Sequence, residues 1–272
     1  MIGDPVAHSK SPLIHKFWLE TLGLTGEYRA TRVRAEDLPA FLAARRADPD
    51  WRGCNVTIPH KQSVIPLLDK RADLGIGAVN CVVPHNGLLG TNTDIAGIGE
   101  ALSFGVATSA PVCIIGAGGA ARAAVAGLDM AAVFQFNVVV RDKQRGMALI
   151  GSGAEHSRVF CFDEAEAALS GCAGVINASP LGMSGFSAMP QPVLDSLGRV
   201  RRGGLFRRRG FALDLVYSPV ETAFLARARQ EKLRVIDGLT VLIGQAASAF
   251  ERFFGLPAPR EHDAKLRKQL IQ

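Results

Sequence analysis

Residues 111–142, which run from PVCIIGAGGAARAAVAGL to NVVVRD, restrict the fold more than any other part of this sequence. Val112 to Ile115 form a short apolar, mostly β-branched run, the pattern of a strand buried on both faces of a parallel sheet. Gly116, Gly118 and Ala121 follow as G-x-G-x-x-A. The first glycine permits a tight turn, the second lets backbone approach a pyrophosphate, and the third small residue lets helix pack on strand. A helix is predicted from Gly119 through Ala126, with its free N–H groups and positive dipole end at the turn. Gly-rich turns also serve plain packing. Here, however, a second strand, Asn137 to Val140, arrives after a helix-length gap and completes a βαβ unit. It ends at Arg141, Asp142, Lys143 and Arg145, where such folds read the adenosine ribose. The arginines suit a 2′-phosphate and the aspartate a free 2′-hydroxyl.

A chain of 272 residues has room for two domains that each bury a core. Its composition, 48% apolar and 21% charged, is that of an ordinary soluble globular protein. The formal charge of +6 raises the question of nucleic acid. Much of the excess lies in Arg199 to Arg209, where six arginines flank two glycines with no aromatic platform or nucleic-acid motif. That stretch reads as a solvated basic loop, one that raises the local concentration of anionic small molecules. No nucleic-acid partner is expected. The five cysteines include no C-x-x-C pair, which points to a reduced, cytoplasmic setting. No apolar run reaches the ~18 residues of a membrane span, and Asp4 and Lys10 interrupt any signal-peptide pattern, so no membrane partner is expected.

From the amino terminus, Ile2 to Ser11 reads as a loop opening a helix, with Ser11 at N-cap, Pro12 at N1, apolar Leu13, Ile14, Phe17, Trp18 and Leu22, and Gly23 as the stop. The Ser9 and Ser11 hydroxyls and the free amides there form a small anion site, or Ser11 simply caps its helix. His8 and His15 have no neighbouring carboxylates, so no metal site is expected. Glu36 to Arg46 reads as a surface helix, and Cys54 to Pro59 as a strand stopped by proline. Lys61 then stands just past a buried strand's carboxyl end, where α/β folds place chemistry. Ala78 to Pro84 and Leu88 to Thr91 read as strands of a hairpin turning at Asn86-Gly87. The hairpin delivers Asp94, which is either a site carboxylate or the N-cap of a helix over Ile95 to Leu102. Further strands are predicted at Val159 to Phe162, Gly174 to Asn177, Ala212 to Val216 and Arg234 to Ile236. Helices are predicted at Asp163 to Leu169, Val220 to Lys232 and Leu239 to Phe254, the last broadly apolar on one side and carrying Gln245. The loop Asn177-Ala178-Ser179-Pro180 follows the fourth strand on the expected cofactor edge.

Taken together, GDPVAHSKSPLIH, NVTIPHK, GAVN, GTNTD, GAGGAARA, NASPLGM, DLVYSP and GLTVLIGQAASAF resemble the shikimate dehydrogenases in order and spacing across essentially the full chain. The resemblance implies a two-domain α/β protein. Residues 1–95 and 238–272 would form an amino-terminal α/β substrate domain to which the carboxyl-terminal helix returns, and residues 96–237 a Rossmann-like NAD(P)-binding domain. It also implies reversible, NADPH-dependent reduction of 3-dehydroshikimate to shikimate, in the pathway to chorismate and the aromatic amino acids. Position by position, Lys61 and Asp94 would be the catalytic pair. Ser9 and Ser11 would hold the substrate carboxylate, and Thr57, Asn80, Asp94, Tyr217 and Gln245 the ring hydroxyls. Gly116, Ala117, Gly118, Gly119 and Ala120 would hold the pyrophosphate, Arg141, Asp142 and Arg145 the ribose end, with Asn177, Ser179 and Gly238 also on the cofactor side. Chemistry agrees: a ketone being reduced needs a proton donor within hydrogen-bond reach, and a polyol needs several neutral polar partners.

Three departures from that family bear on the expectations. The chain starts at Met1-Ile2-Gly3, where the family usually carries several more residues of a first strand, so either the substrate domain lacks a strand or the start site is misassigned, with an exposed sheet edge as the consequence. Val140-Arg141-Asp142 replaces Asn-Arg-Thr at the ribose end, which keeps NADP plausible through the arginines and opens NAD through Asp142. Cys81 replaces a common threonine, and Ser179-Pro180 replaces Thr-Ser. The alternatives are an NAD-dependent quinate or shikimate dehydrogenase using the same lysine and aspartate, and a catalytically silent dinucleotide-binding sensor. Either a monomer or a homodimer is compatible with the sequence.

Overall fold

The computed structural model describes residues 1–72, 75–106, 109–151, 157–201 and 209–272. In chain order the first elements are β1 (Ile2–Gly3), α1 (Ser11–Thr21), β2 (Thr31–Arg32), α2 (Leu38–Arg46), β3 (Cys54–Asn55), α3 (His60–Ser63), β4 (Lys70–Ala72), β5 (Cys81–Pro84), β6 (Leu88–Thr91) and α4 (Asp94–Ala101). There follow β7 (Val112–Ile115), α5 (Gly119–Met130), β8 (Phe136–Val139), α6 (Lys143–Ile150), β9 (Arg158–Phe160), α7 (Ala165–Leu169), β10 (Gly174–Asn177) and α8 (Gln191–Ser196). The chain closes with β11 (Phe211–Asp214), α9 (Ala223–Gln230), β12 (Arg234–Ile236), α10 (Gly238–Phe254) and α11 (Asp263–Ile271). It divides into two compact units, Met1–Gly97 with Ile243–Gln272, and Ile98–Leu242.

In the second unit the described strands form one parallel sheet in the order β12-β11-β10-β7-β8-β9. Counted from β7, this is the doubly wound order 3-2-1-4-5-6, whose switch point lies between β7 and β10. Val112 to Ile115 are all buried, as a central parallel strand requires. The face under α7, α8 and α9 is sealed by Val175, Ala212, Phe224 and Leu225, among others. Gly174 lies so close to the Phe211 ring that a Cβ there would sit 2.1 Å from it.

In the first unit the order is β3-β5-β6-β4, antiparallel except for the β6–β4 pair. Asn86 and Gly87 turn the β5–β6 hairpin at positive φ, 48° and 104°, a region that Asn and Gly tolerate. The strand expected to be missing at the amino terminus is present in short form. Ile2 pairs with Thr31 on one side and bridges Val56 on the other, so it is flanked rather than left as an edge.

Several boundaries differ from expectation for local reasons. Ser11 is the first residue of α1 rather than its cap; Ser9 Oγ accepts the Ser11 amide at 3.2 Å, and Lys10 Nζ donates to the Leu270 carbonyl of α11. The strand over Cys54 to Pro59 keeps ladder pairing only at its start, because Thr57 N turns to the Ile2 carbonyl (3.0 Å) and the Thr57 carbonyl accepts His60 N (2.8 Å). Helix α9 begins late because Thr222 Oγ1 caps it, accepting Leu225 N at 3.2 Å. Strand β11 ends early because Asp214 Oδ1 accepts Val216 N at 2.9 Å. Of the arginine-rich loop, residues 202–208 lie outside the described residues; Arg199 pairs with Glu166 at 2.5 Å.

His15 is a core residue. Its ring stacks on Tyr28 (centroids 3.9 Å apart, planes 2° apart) and lies near Trp18, Phe250 and Phe253. Both ring nitrogens are buried without a hydrogen-bond partner among the described residues. Burial pushes its pKa down from 6.5 to about 3. The unfolded chain therefore takes up a proton near pH 6.5 that the fold resists, so stability from this group is present above that pH and is lost as pH falls toward 3. His15→Phe should flatten the acid limb of thermal stability, removing a slope of up to about 1.4 kcal/mol per pH unit between roughly pH 6 and 3. Melting curves read by circular dichroism across that range check this; an unchanged acid limb contradicts it.

Candidate active site

Lys61 opens onto the end of β5 and β6. Its carbonyl accepts Val79 N at 2.7 Å, which fixes the short helix α3 beside the segment that carries Asn80 into β5. Its Nζ donates to Asp94 Oδ2, and both side chains are mostly withdrawn from water, at 16% and 15% exposure. Asp94 Oδ1 accepts Asn80 Nδ2 at 2.8 Å. Asp94 is the first residue of α4, and its own amide is satisfied by a different residue: Asn92 Oδ1 accepts Asp94 N at 3.0 Å, while Asn92 Nδ2 donates to the Ala78 carbonyl at 2.7 Å. Both carboxylate oxygens of Asp94 therefore face Lys61 and Asn80.

Asn80 is the hub. Its Oδ1 accepts Thr93 N at 2.6 Å, and its Nδ2 also lies 3.0 Å from Thr93 Oγ1 and 3.4 Å from Gln245 Oε1. Thr93 Oγ1 in turn lies 3.3 Å from Gln245 Oε1, which ties α10 to the hairpin. From below, Asn55 Nδ2 donates to the Asn80 carbonyl (3.3 Å), and Asn55 Oδ1 accepts Tyr28 OH (2.6 Å). Thus Lys61, Asn80, Asp94 and Gln245 come together as expected, and Asn92 and Thr93 join them. The signal for these two was within GTNTD, whose polar residues after a buried strand cannot all face water. His60 is buried, with Nε2 at 2.7 Å from the Val33 carbonyl, which assigns its proton to that nitrogen. Ser9 and Ser11 meet at the start of α1, and Thr57 lies against Gly3, where an added Cβ would be 2.4 Å from Thr57 Cγ2.

The second unit gathers its expected residues at the carboxyl ends of β7 and β10. Gly116 has φ of +109°, and a Cβ there would lie 3.0 Å from the Ala178 carbonyl oxygen. Gly118 and the start of α5 are open: a Cβ built on Gly118 meets nothing within 4 Å. Asn177 Oδ1 accepts Ser179 N (3.2 Å) and Ser179 Oγ (2.7 Å), while its Nδ2 donates to the Leu181 carbonyl (3.0 Å) and to Asp214 Oδ1 (2.8 Å). Asp214, fully buried, also accepts Thr222 Oγ1 at 2.6 Å through Oδ2. Burial pushes its carboxyl up from 3.8 to about 6, against the pull of these hydrogen bonds. Sequence reading passed over Asp214; an aspartate closing an otherwise apolar buried strand was the available signal. Gly238 lies flush on the backbone after β11, where a Cβ would sit 2.4 Å from the Val216 carbonyl oxygen. Tyr217 is partly buried in the loop that follows that strand.

At the end of β8, Arg141, Asp142 and Arg145 are exposed. Asp142 caps α6, its Oδ1 accepting Gln144 N at 2.9 Å. Among the described residues, Cys161, Asp163 and Glu164 bring ligand-type atoms within 4.8 Å of one another. The Glu164 carboxylate is already engaged by Cys161 N and by Lys143 Nζ, each at 2.7 Å.

A doubly wound sheet with a glycine turn at its switch point is the architecture of dinucleotide-dependent oxidoreductases. Models of the shikimate dehydrogenase substrate binding domain and the shikimate 5'-dehydrogenase C-terminal domain match residues 1–82 and 238–265. The shikimate dehydrogenase (NADP(+)) of Sphingopyxis alaskensis is 45% identical over 100% of this chain and 96% of its own length. That of Brucella abortus is 37% identical over 96% and 91%. Among solved structures, shikimate 5-dehydrogenase from Thermus thermophilus in complex with NADP(H) and shikimate has a TM-score of 0.80 at 36% identity, covering 99% of this chain and 97% of that one. Quinate dehydrogenase from Corynebacterium glutamicum in complex with NAD has a TM-score of 0.82 at 28% identity, covering 98% and 97%. The chain belongs to the shikimate dehydrogenase family.

Because Asn80 satisfies Thr93, Asp94 and Gln245 at once, its truncation leaves several buried polar groups unpaired. Asn80→Ala should destabilise the first unit by about 2–4 kcal/mol. A urea titration followed by circular dichroism checks this, and an unchanged midpoint contradicts it.

Proposed function

We propose that the protein is an NADP-dependent shikimate dehydrogenase that interconverts 3-dehydroshikimate and shikimate, a step of the route to chorismate and the aromatic amino acids. The observation that carries the reading is the Lys61–Asp94 pair, with Asn80 on the second carboxylate oxygen, in a chain whose curated relatives are named shikimate dehydrogenase (NADP(+)). The first unit carries the substrate and the second the cofactor. The five free cysteines fit a reducing cytoplasm, and among the described residues no helix is long and apolar enough to cross a membrane.

The second unit fits the cofactor. Gly116 makes a turn that any side chain would strain, and the open space at Gly118 lets a pyrophosphate reach the amides that begin α5. Gly116 to Ala120 are assigned to that group, Arg141 and Arg145 to the 2′-phosphate, and Asn177, Ser179 and Gly238 to the rest of the cofactor. Bound NADPH supplies the hydride that reduces the ketone carbon.

The chain's own residues handle the oxygen. As the carbonyl oxygen gains negative charge, Lys61 Nζ donates a proton to it, and in the reverse direction Lys61 accepts that proton from the hydroxyl. Asp94 orients the ammonium, and Asn80 fixes Asp94, so the donor is held in place before the substrate arrives. Ser9 and Ser11 are assigned to the substrate carboxylate. Thr57, Asn80, Asp94, Tyr217 and Gln245 are assigned to its hydroxyls, where neutral donors and acceptors reject a ring that leaves them unpaired. The test is absorbance at the reduced-nicotinamide band with 3-dehydroshikimate and NADPH. Wild type should turn over, and Lys61→Ala should lose about two orders of magnitude or more in kcat with KM little changed. A folded wild type with no turnover sinks the enzyme reading and leaves a cofactor-binding sensor.

The NAD-dependent quinate reading rests on Asp142. Its carboxylate is turned onto the amide of Gln144 at the start of α6, which leaves the exposed Arg141 and Arg145 to read a phosphate. Asp142→Asn keeps a good N-cap and removes a negative charge near the ribose end. Its preference for NADPH over NADH in kcat/KM should rise by about 1.5- to 5-fold, in line with one exposed charge. A shift toward NADH contradicts this assignment.

A further inference from the structure

We propose that Asp214 is a positioning residue for the cofactor, holding the Asn177–Leu181 loop against the Gly116 turn through its hydrogen bond to Asn177. The inference rests on the assignment of that turn to NADP.

Ile115, Asn177 and Asp214 are in register as the last residues of β7, β10 and β11. They form a row across the switch point, and each is followed by a loop at the same edge. Asp214 Oδ1 takes Asn177 Nδ2 and Val216 N, and Oδ2 takes the Thr222 hydroxyl. Every one of these partners donates, so the site is built for a carboxylate that only accepts. Asn177 passes the constraint on. With Nδ2 held by Asp214 and by the Leu181 carbonyl, its Oδ1 faces Ser179 N and Ser179 Oγ, and the loop closes on itself. Ala178 and Ser179 then lie directly against Gly116, close enough that a Cβ there would be in tight contact, 3.0 Å from the Ala178 carbonyl oxygen and 3.1 Å from Ser179 Cβ. A shift of this loop by a few tenths of an ångström would be felt at the turn.

The carboxylate makes no ion pair among its hydrogen-bonding partners. Charged groups on the elements packed around it are Asp237, which follows β12 and caps the start of α10 by accepting Leu239 N at 3.1 Å, the Glu221–Arg229 pair on and before α9, Arg227 of α9, which pairs with Glu231 and lies 4.0 Å from Asp195 of α8, and Arg234 of β12, which lies over the Phe104 ring. Burial pushes its pKa up to about 6, so stability from this group is fully present below the ordinary 3.8 and lost as pH rises through 6. At neutral pH the fold thus keeps this group charged at a cost, a pattern found at functional sites.

The experiment is calorimetric titration of the full chain with NADP at pH 8 and pH 5, for wild type, Asp214→Asn, Thr222→Val and Thr222→Ser, with the folded fraction measured by circular dichroism. At pH 8, Asp214→Asn should bind NADP about tenfold or more weakly, the scale of a lost hydrogen bond to a charged group. At pH 5, where the wild-type carboxyl is itself protonated, the ratio should shrink to within about threefold; comparing ratios cancels titration of the cofactor's own phosphate. Thr222→Val removes a donor to the same carboxylate, and with it the N-cap of α9, without touching the turn, and should behave likewise, more weakly, while Thr222→Ser, which keeps the hydroxyl for both tasks, should match wild type. The KM for shikimate should not move. Wild-type affinity in both Asp214→Asn and Thr222→Val at pH 8 overturns the proposal and leaves Asp214 a purely structural residue. A folded wild type that binds no NADP overturns instead the assignment of the turn to that cofactor.

Discussion

A lysine and an aspartate withdrawn from water are stable only if every remaining lone pair and proton finds a partner, because desolvating the two charges costs more than their attraction returns. The first unit is arranged around that requirement. Asp94 has two oxygens, one for Lys61 and one for Asn80, and its backbone amide is taken by Asn92. Asn80 is held by Thr93 and reaches Gln245 on α10, and its backbone carbonyl takes the amide of Val56 at 2.7 Å. The hairpin, the short helix after Pro59 and the long carboxyl-terminal helix thus converge on one amide side chain. A network satisfied in this way costs little to form once the strands are paired, and it fixes the orientation of the Lys61 ammonium.

The second unit answers a different demand with the same means. The pyrophosphate assigned to this turn would need bare backbone, which Gly116 and Gly118 provide, and what they forgo in packing is supplied by neighbouring loops. Asn177 and Asp214 supply it from β10 and β11, on the side of β7 where the strand order reverses. In each unit an asparagine near a strand end connects a carboxylate to a loop: Asn80 to Asp94, and Asn177 to Asp214.

Much of this was legible in the sequence because it rests on local chemistry. Val112 to Ile115, the glycine turn, α5, β10 and β12 fall where period and turn residues put them, and the Asn86-Gly87 hairpin is a short-range signal. Lys61, Asn80, Asp94 and Gln245 could be named as candidates, and they do meet. What was not legible depends on pairing across long stretches of chain. Strands β2 and β4, only two and three residues long, are defined by partners and not by pattern. The division of labour between Asn92 and Asp94 at the start of α4 could not be read from GTNTD, since either side chain can cap a helix. Likewise Asp142 reads as a ribose ligand by spacing, and only its geometry reveals a cap. Asp214 went unnoticed because its partners, Asn177 and Thr222, come from different parts of the chain.

In the proposed reaction Lys61 moves a proton and does more than present a charge, and chemical rescue of Lys61→Ala separates the two roles. Turnover of 3-dehydroshikimate with NADPH would be followed as methylammonium, and separately guanidinium, is added at constant ionic strength. Saturable recovery is expected with the amine, which can transfer a proton, and none with guanidinium, which carries the charge but holds its protons. Equal rescue by both cations, or by neither in a folded variant that still binds substrate and cofactor, would contradict proton transfer by Lys61.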